Sequence, residues 1–183
     1  EWDFVSHNSN GFTLNEITAP ATICYNHFLA LKGGSYSVQS VATRTDGNDI
    51  NTGALGFTPA GALLVSAFKT EHAAGTMTVH DTWSMGATDG TNRFACSIYS
   101  QDGVADTVVF TAIEHDEVYI ATTTAAVEGL MDVKTWADPI TFVMDDPDPS
   151  AKFVTMLVIG NAASATKAPP PFQKHTAYVW RKK

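Results

Sequence analysis

Residues 133–162 read VKTWADPITFVMDDPDPSAKFVTMLVIGNA, and residues 5–34 read VSHNSNGFTLNEITAPATICYNHFLALKGG. Few letters match, but the order of residue character does. Each stretch starts with a short strand-like run, Phe12/Leu14 in one and Ile140/Phe142 in the other. A polar turn containing proline follows. A long apolar run then closes the pattern, Tyr25–Leu31 or Phe153–Ile159, and stops at Gly or Asn. Self-similarity of this kind bears directly on the fold. It predicts that the chain opens with the closing strands of one β unit and then supplies a nearly complete second unit. Such an arrangement suits a modular building block better than a compact enzyme.

Working outward, strand signals dominate. Period-two or continuous apolar runs rich in Val, Thr and aromatics fall near 2–5, 11–17, 22–32, 35–43, 62–68, 76–84, 93–99, 106–113, 117–123, 130–135, 139–144, 152–160 and 176–181. Gly33-Gly34, Asp46-Gly47-Asn48, Asp89-Gly90, Asp102-Gly103 and Asp145-Asp146-Pro147 supply the turn chemistry between them. Helical periodicity is not sustained anywhere. The expected fold is all-β, an antiparallel β-sandwich or jelly roll with extended N- and C-terminal arms. Ala62–Phe68 and Phe153–Ile159, apolar at successive positions, are expected as central strands buried on both faces. Three segments are expected: N-terminal strands at 1–43, a main sandwich at 44–161, and a Pro-rich basic arm at 162–183. Within the first two, residues 44–58 read as a polar connector.

A chain of 183 residues can bury a real core. Only 16% of it is charged, while it holds 23 Thr and 24 Ala, so a neutral, Thr-studded sheet surface is expected. The net charge of −8 is unevenly spread: residues 162–183 carry Lys167, Lys174, Arg181, Lys182 and Lys183 and no acid, which leaves −13 on the rest. An acidic body repels nucleic acid and argues against that partner. Pro169-Pro170-Pro171 favours polyproline II, a semi-rigid spacer. Beyond it, His175–Trp180 alternates again. Tyr178, Trp180, Arg181, Lys182 and Lys183 are therefore the candidate interface residues of an arm that adds a strand to a neighbour. Cys24 and Cys96 each lie in an apolar run and are expected as free, half-buried thiols of a reducing cytoplasm. No stretch approaches the roughly 18 apolar residues of a membrane span.

Catalytic and metal patterns are weak. Glu114-His115-Asp116-Glu117 brings to mind the paired carboxylates of retaining glycosidases, which a strand's period of two would aim into one cleft. Glu114 and Asp116 could share a face, but Val118 holds the third position, so a charged strand end or turn is the better reading. His80-Asp81 and His115-Asp116 are single pairs without zinc-ligand spacing. The Asp145/Asp146/Asp148 and Asp46/Asp49 clusters could suit calcium but read equally as Asx turns. Catalytic residues, a metal and a cofactor are not expected. Trp83, Trp136, Tyr99 and Tyr119 could serve as sugar platforms, which keeps a lectin-like module that binds a host glycan as the alternative.

LGFTPAGALLVSAF at 55–68, HDTWSMGATDGTNRFACSIYSQDGVADT at 80–107 and DVKTWADPITFVMDDPDPSAKFVTMLVIG at 132–160 resemble virion structural proteins of tailed bacteriophages. The shared marks are the Gly-Phe-x-Pro opening, a small-residue strand, a Gly-x-x-Asp-Gly turn, a Cys-bearing strand, an Asp-Gly-Val turn and a final long apolar strand. Residues 5–34 resemble the closing half of the same module. The resemblance implies a non-enzymatic shell, decoration or tail component of the virion, assembled in the host cytoplasm as a homo-oligomer with other virion proteins. It implies no catalytic residues. The early closing half and the Pro-rich basic end depart from the family pattern.

Overall fold

Turn chemistry sets the strand boundaries. Between two strands of the computed structural model, the Asp89 carboxylate accepts the backbone N–H groups of Thr91 (2.9 Å) and Asn92 (2.7 Å), and Gly90 takes φ +90°. The Asn92 side-chain amide, which donates to the same carboxylate at 2.8 Å, and then these backbone bonds hold the Asp89 carboxyl down at about 2. Asp46 caps its own turn in the same way, accepting from Asn48 N at 3.2 Å. The structure describes residues 2–8, 11–16, 31, 33–68, 80–101, 103, 109–122 and 126–160. Among them every regular element is a β-strand: β1 Trp2–Asn8, β2 Gly11–Glu16, β3 Tyr36–Ala42, β4 Ile50–Asn51, β5 Pro59–Ser66, β6 His80–Thr88, β7 Arg93–Gln101, β8 Val109–Glu114, β9 Tyr119–Ala121, β10 Gly129–Thr135, β11 Thr141–Asp146 and β12 Phe153–Gly160. The all-β antiparallel sandwich expected from the sequence is what the chain forms.

The chain divides into two units, residues 1–33 and 34–183. The first holds an antiparallel hairpin, β1 on β2, whose register shifts between Phe4 and Ser6. The second holds two sheets. One is six-stranded in the order β3-β12-β5-β6-β7-β8, and the other is four-stranded in the order β4-β11-β10-β9. The boundary therefore falls between Gly33 and Gly34 and not at 43/44. The reason is that β3 pairs along its whole length with β12, from Ala42↔Phe153 to Tyr36↔Ile159. Residues 44–58 likewise do more than connect, since Ile50–Asn51 forms the edge strand beside β11. Asp138 pins the segment that follows, accepting from Leu55 N (2.6 Å) and Gly56 N (2.9 Å). The arm expected at 162–183 lies outside the described residues.

The core fills the space between the two sheets. Leu64, Val154, Met156 and Val158 of the larger sheet meet Met131, Phe142 and Met144 of the smaller, with Ile140 and Val118 from the connections. Burial on this scale, at about 25 cal/mol for each Å² of apolar surface removed from water, is the main force on the fold. Gly86 on β6 sets how closely the layers approach. A Cβ there would lie 1.9 Å from the Val118 carbonyl oxygen, so only glycine fits. At the opposite corner the Trp136 indole covers Gly90 and donates Nε1–H to the Pro59 carbonyl at 3.1 Å.

Two-faced burial of the apolar runs does not occur. β5 and β12 are indeed interior strands of the six-stranded sheet, but only alternate residues face the core. Leu63 and Val65, between the buried Ala62, Leu64 and Ser66, are 47% and 51% exposed. The smaller sheet covers one side of the larger sheet, and no described strand of the second unit lies on the other. Strand hydrophobicity reports how apolar a face is; it does not report what lies against it.

Candidate functional site

Along β6 and β7 the usual arrangement of a half-buried sheet is reversed. Toward the core, β6 presents Thr82, Ser84, Gly86 and Thr88, and β7 presents Ala95, Ser97 and Tyr99. Away from the core, β6 presents Trp83, Met85 and Ala87, and β7 presents Phe94, Cys96 and Ile98. Hydroxyls buried in this way need partners, and they have them. Ser97 Oγ and Thr122 Oγ1 are 2.5 Å apart, Ser97 Oγ also donates to the Trp83 carbonyl (3.2 Å), and Ser84 Oγ accepts from Ile120 N (3.3 Å). The satisfied hydroxyls explain how the inner side tolerates its polarity. They leave the outer side, with its Trp, Met and Phe, to be explained.

The pairing register extends that outer side across the whole sheet. One row runs Val38, Leu157, Leu63, Ala87, Phe94 through β3, β12, β5, β6 and β7. The next runs Ser40, Thr155, Val65, Met85, Cys96, Ile113 and reaches β8. A third joins Trp83, Ile98 and Thr111. None of these residues is an acid or a base, and the Cys96 thiol among them is free and half-buried as expected. An uncharged surface spanning six strands stands at the upper end of the apolar patches that an ordinary monomer displays.

The other candidates sort by their positions. Tyr178, Trp180, Arg181, Lys182 and Lys183 lie outside the described residues, as does Cys24. Of the four aromatic platforms, Tyr99 and Tyr119 are buried and Trp136 is half-buried under its Pro59 bond; Trp83 alone is exposed. β8 ends at Glu114, and residues 115–118 turn across to the smaller sheet. Glu114 is therefore the end of a strand, Asp116 is exposed on the turn, and Glu117 is buried. The glycosidase-like face does not form.

Two buried polar clusters link the layers. In one, Glu117 is 7% exposed, with Oε2 shielded from solvent and without a hydrogen-bond partner. Burial, reinforced by the charges of Asp145, Asp132 and Asp116 and opposed by Arg93, pushes its carboxyl up to about 7. Arg93 itself donates to Asp132. In the other, Asp148 accepts from Ser150 N (3.0 Å) and from the Tyr119 hydroxyl (3.4 Å), and the Lys152 ammonium lies 3.8 Å away. Burial raises both the Asp148 carboxyl and the Tyr119 hydroxyl. Sequence reasoning missed both clusters, because single acids and a lone lysine carry no periodic signal. Among the described residues, no three His, Cys, Asp or Glu side chains converge as a metal site. Comparison with protein-family models, with curated proteins and with solved structures finds no match for this chain.

Proposed function

We propose that this chain is a non-enzymatic structural subunit of a tailed-phage virion, a capsid-decoration or tail-associated protein. It assembles through its β surfaces and terminal arms with copies of itself and with other virion proteins. The observation that carries the reading is the inverted β6–β7 hairpin. A protein that worked alone would gain from placing Trp83, Met85 and Phe94 inward and the hydroxyls outward. A subunit whose outer face is covered on assembly gains from the reverse. The uncharged, Thr-bearing surface and the absence of a shared carboxylate face at Glu114 and Asp116 also support a mechanical role. The basic segment 162–183 adds a cationic end suited to the acidic body of a neighbour.

The lectin-like alternative loses support from the burial of Tyr99 and Tyr119. Trp83 pairs with Ile98 and lies two residues from Met85 on its own strand, apolar neighbours that offer a sugar no hydrogen bonds. An antiserum against the chain tests the proposal on particles purified from a lysate that contains the protein. Regular decoration of heads or tails in negative stain is expected. Protein found solely in the soluble fraction, with bare particles, overturns it.

A further inference from the structure

We infer that the outer face of the six-stranded sheet is a self-association surface, occupied by the same face of a second copy. This rests on the reading of the chain as an assembling subunit and names the partner of one of its surfaces. Three observations favour a copy of the chain over other occupants. First, the body outside 162–183 carries a net charge of −13, so two copies repel in most orientations. The rows through Leu63 and Met85 are the broad surface that two copies can bring together without opposing acid to acid. Second, six strands spaced about 4.8 Å apart, contacted over about six residues of length, present roughly 600 Å². Two such faces bury roughly 1,200 Å², the lower bound for a specific interface, so a reversible dimer is expected. Third, the rows hold no charged side chain and are mostly apolar from Val38 to Phe94, so an isologous two-fold contact sets apolar side chains on apolar side chains. Two sheet faces stack about 10 Å apart, as the layers of a sandwich do.

Sedimentation velocity on the full chain, from low to high micromolar concentration, tests this beside the double variant Leu63→Lys/Met85→Lys. Both positions are nearly half exposed in the single chain, so circular dichroism and melting should be unchanged. The wild type is expected to shift from monomer to dimer with concentration, and the variant to dimerise at least a hundredfold more weakly. A second readout needs no variant. Alkylation of Cys96, followed by peptide mapping, should slow several-fold between the dilute and concentrated wild type.

A dimer that survives in the folded variant, with Cys96 equally reactive at both concentrations, overturns the face assignment and leaves the subunit reading standing. A wild type that is monomeric throughout also overturns it, and particle labelling then decides the subunit reading on its own. A full chain that stays monomeric while a chain ending at Gly160 dimerises assigns the face to the chain's own C-terminal segment, again against a second copy.

Discussion

Replacing Glu117 by Gln should stabilise the folded chain at alkaline pH and leave it unchanged in acid. The Glu117 carboxyl sits between the two sheets with Oε2 unpartnered, and its proton is held up to about 7 against an ordinary 4.5. Below pH 4.5 the group is protonated in both folded and unfolded chains, and ionisation costs nothing. Between 4.5 and 7 the unfolded chain releases the proton while the folded chain keeps it, so stability falls as pH rises. Above about 7 both forms are ionised and the loss is complete. A difference of that size corresponds to roughly 3 kcal/mol at the ceiling. Partial solvent screening of the carboxyl takes away some of it, which leaves about 1–3 kcal/mol. Glutamine keeps the shape and has no charge to bury. Urea unfolding of wild type and variant at pH 4.5, 6 and 8 measures the gap between them, and titrating groups that do not interact with Glu117 cancel in that difference. The gap should open across the interval and plateau above 7. A gap that is constant with pH, or a variant less stable than wild type at pH 8, would refute the assignment of a buried ionising charge.

Other changes test the packing and the assembly. Gly86→Ala places a methyl 1.9 Å from the Val118 carbonyl oxygen, with backbone on both sides of the clash; a loss of about 3 kcal/mol or more in urea unfolding is expected, and a loss below about 1 would contradict the close approach. Asp148→Ala removes the carboxylate beside the buried Lys152 ammonium and the Tyr119 hydroxyl, which keep Ser150 and Ser66 as partners, and should cost about 1–3 kcal/mol in the same assay. Deleting 162–183 should leave the melting transition in place while light scattering shows a smaller assembly; an unchanged assembly would remove the arm from the mechanism.

Much of the strand pattern was legible because turns announce themselves. Runs at 35–43, 93–99, 130–135 and 152–160 lie between Gly, Asp and Pro signals and match β3, β7, β10 and β12 closely. Ile50–Asn51 was not legible, since a two-residue edge strand exists only through its pairing with Thr141 and Phe142. The opening parts of the two stretches lie in antiparallel hairpins, β1–β2 and β10–β11. The later half of the first stretch lies outside the described residues. The candidate face was half visible: apolar runs at 62–68 and 153–159 pointed to interior strands but not to the side left bare. Glu117 was judged from its neighbours on a presumed strand. A turn that carries it across to the other sheet cannot be read from spacing.

Gly86 has a consequence for how the chain finds its pairing. An inverted hairpin invites error, because a slip of one residue along β6 would turn Trp83 and Met85 inward and release the hydroxyls to water, which an isolated chain would favour. Such a slip brings Met85 or Ala87 under the Val118 carbonyl, where no side chain fits. The missing methyl therefore works as a register lock. It closes off the most attractive misfold and keeps the apolar rows on the side where a neighbour can reach them.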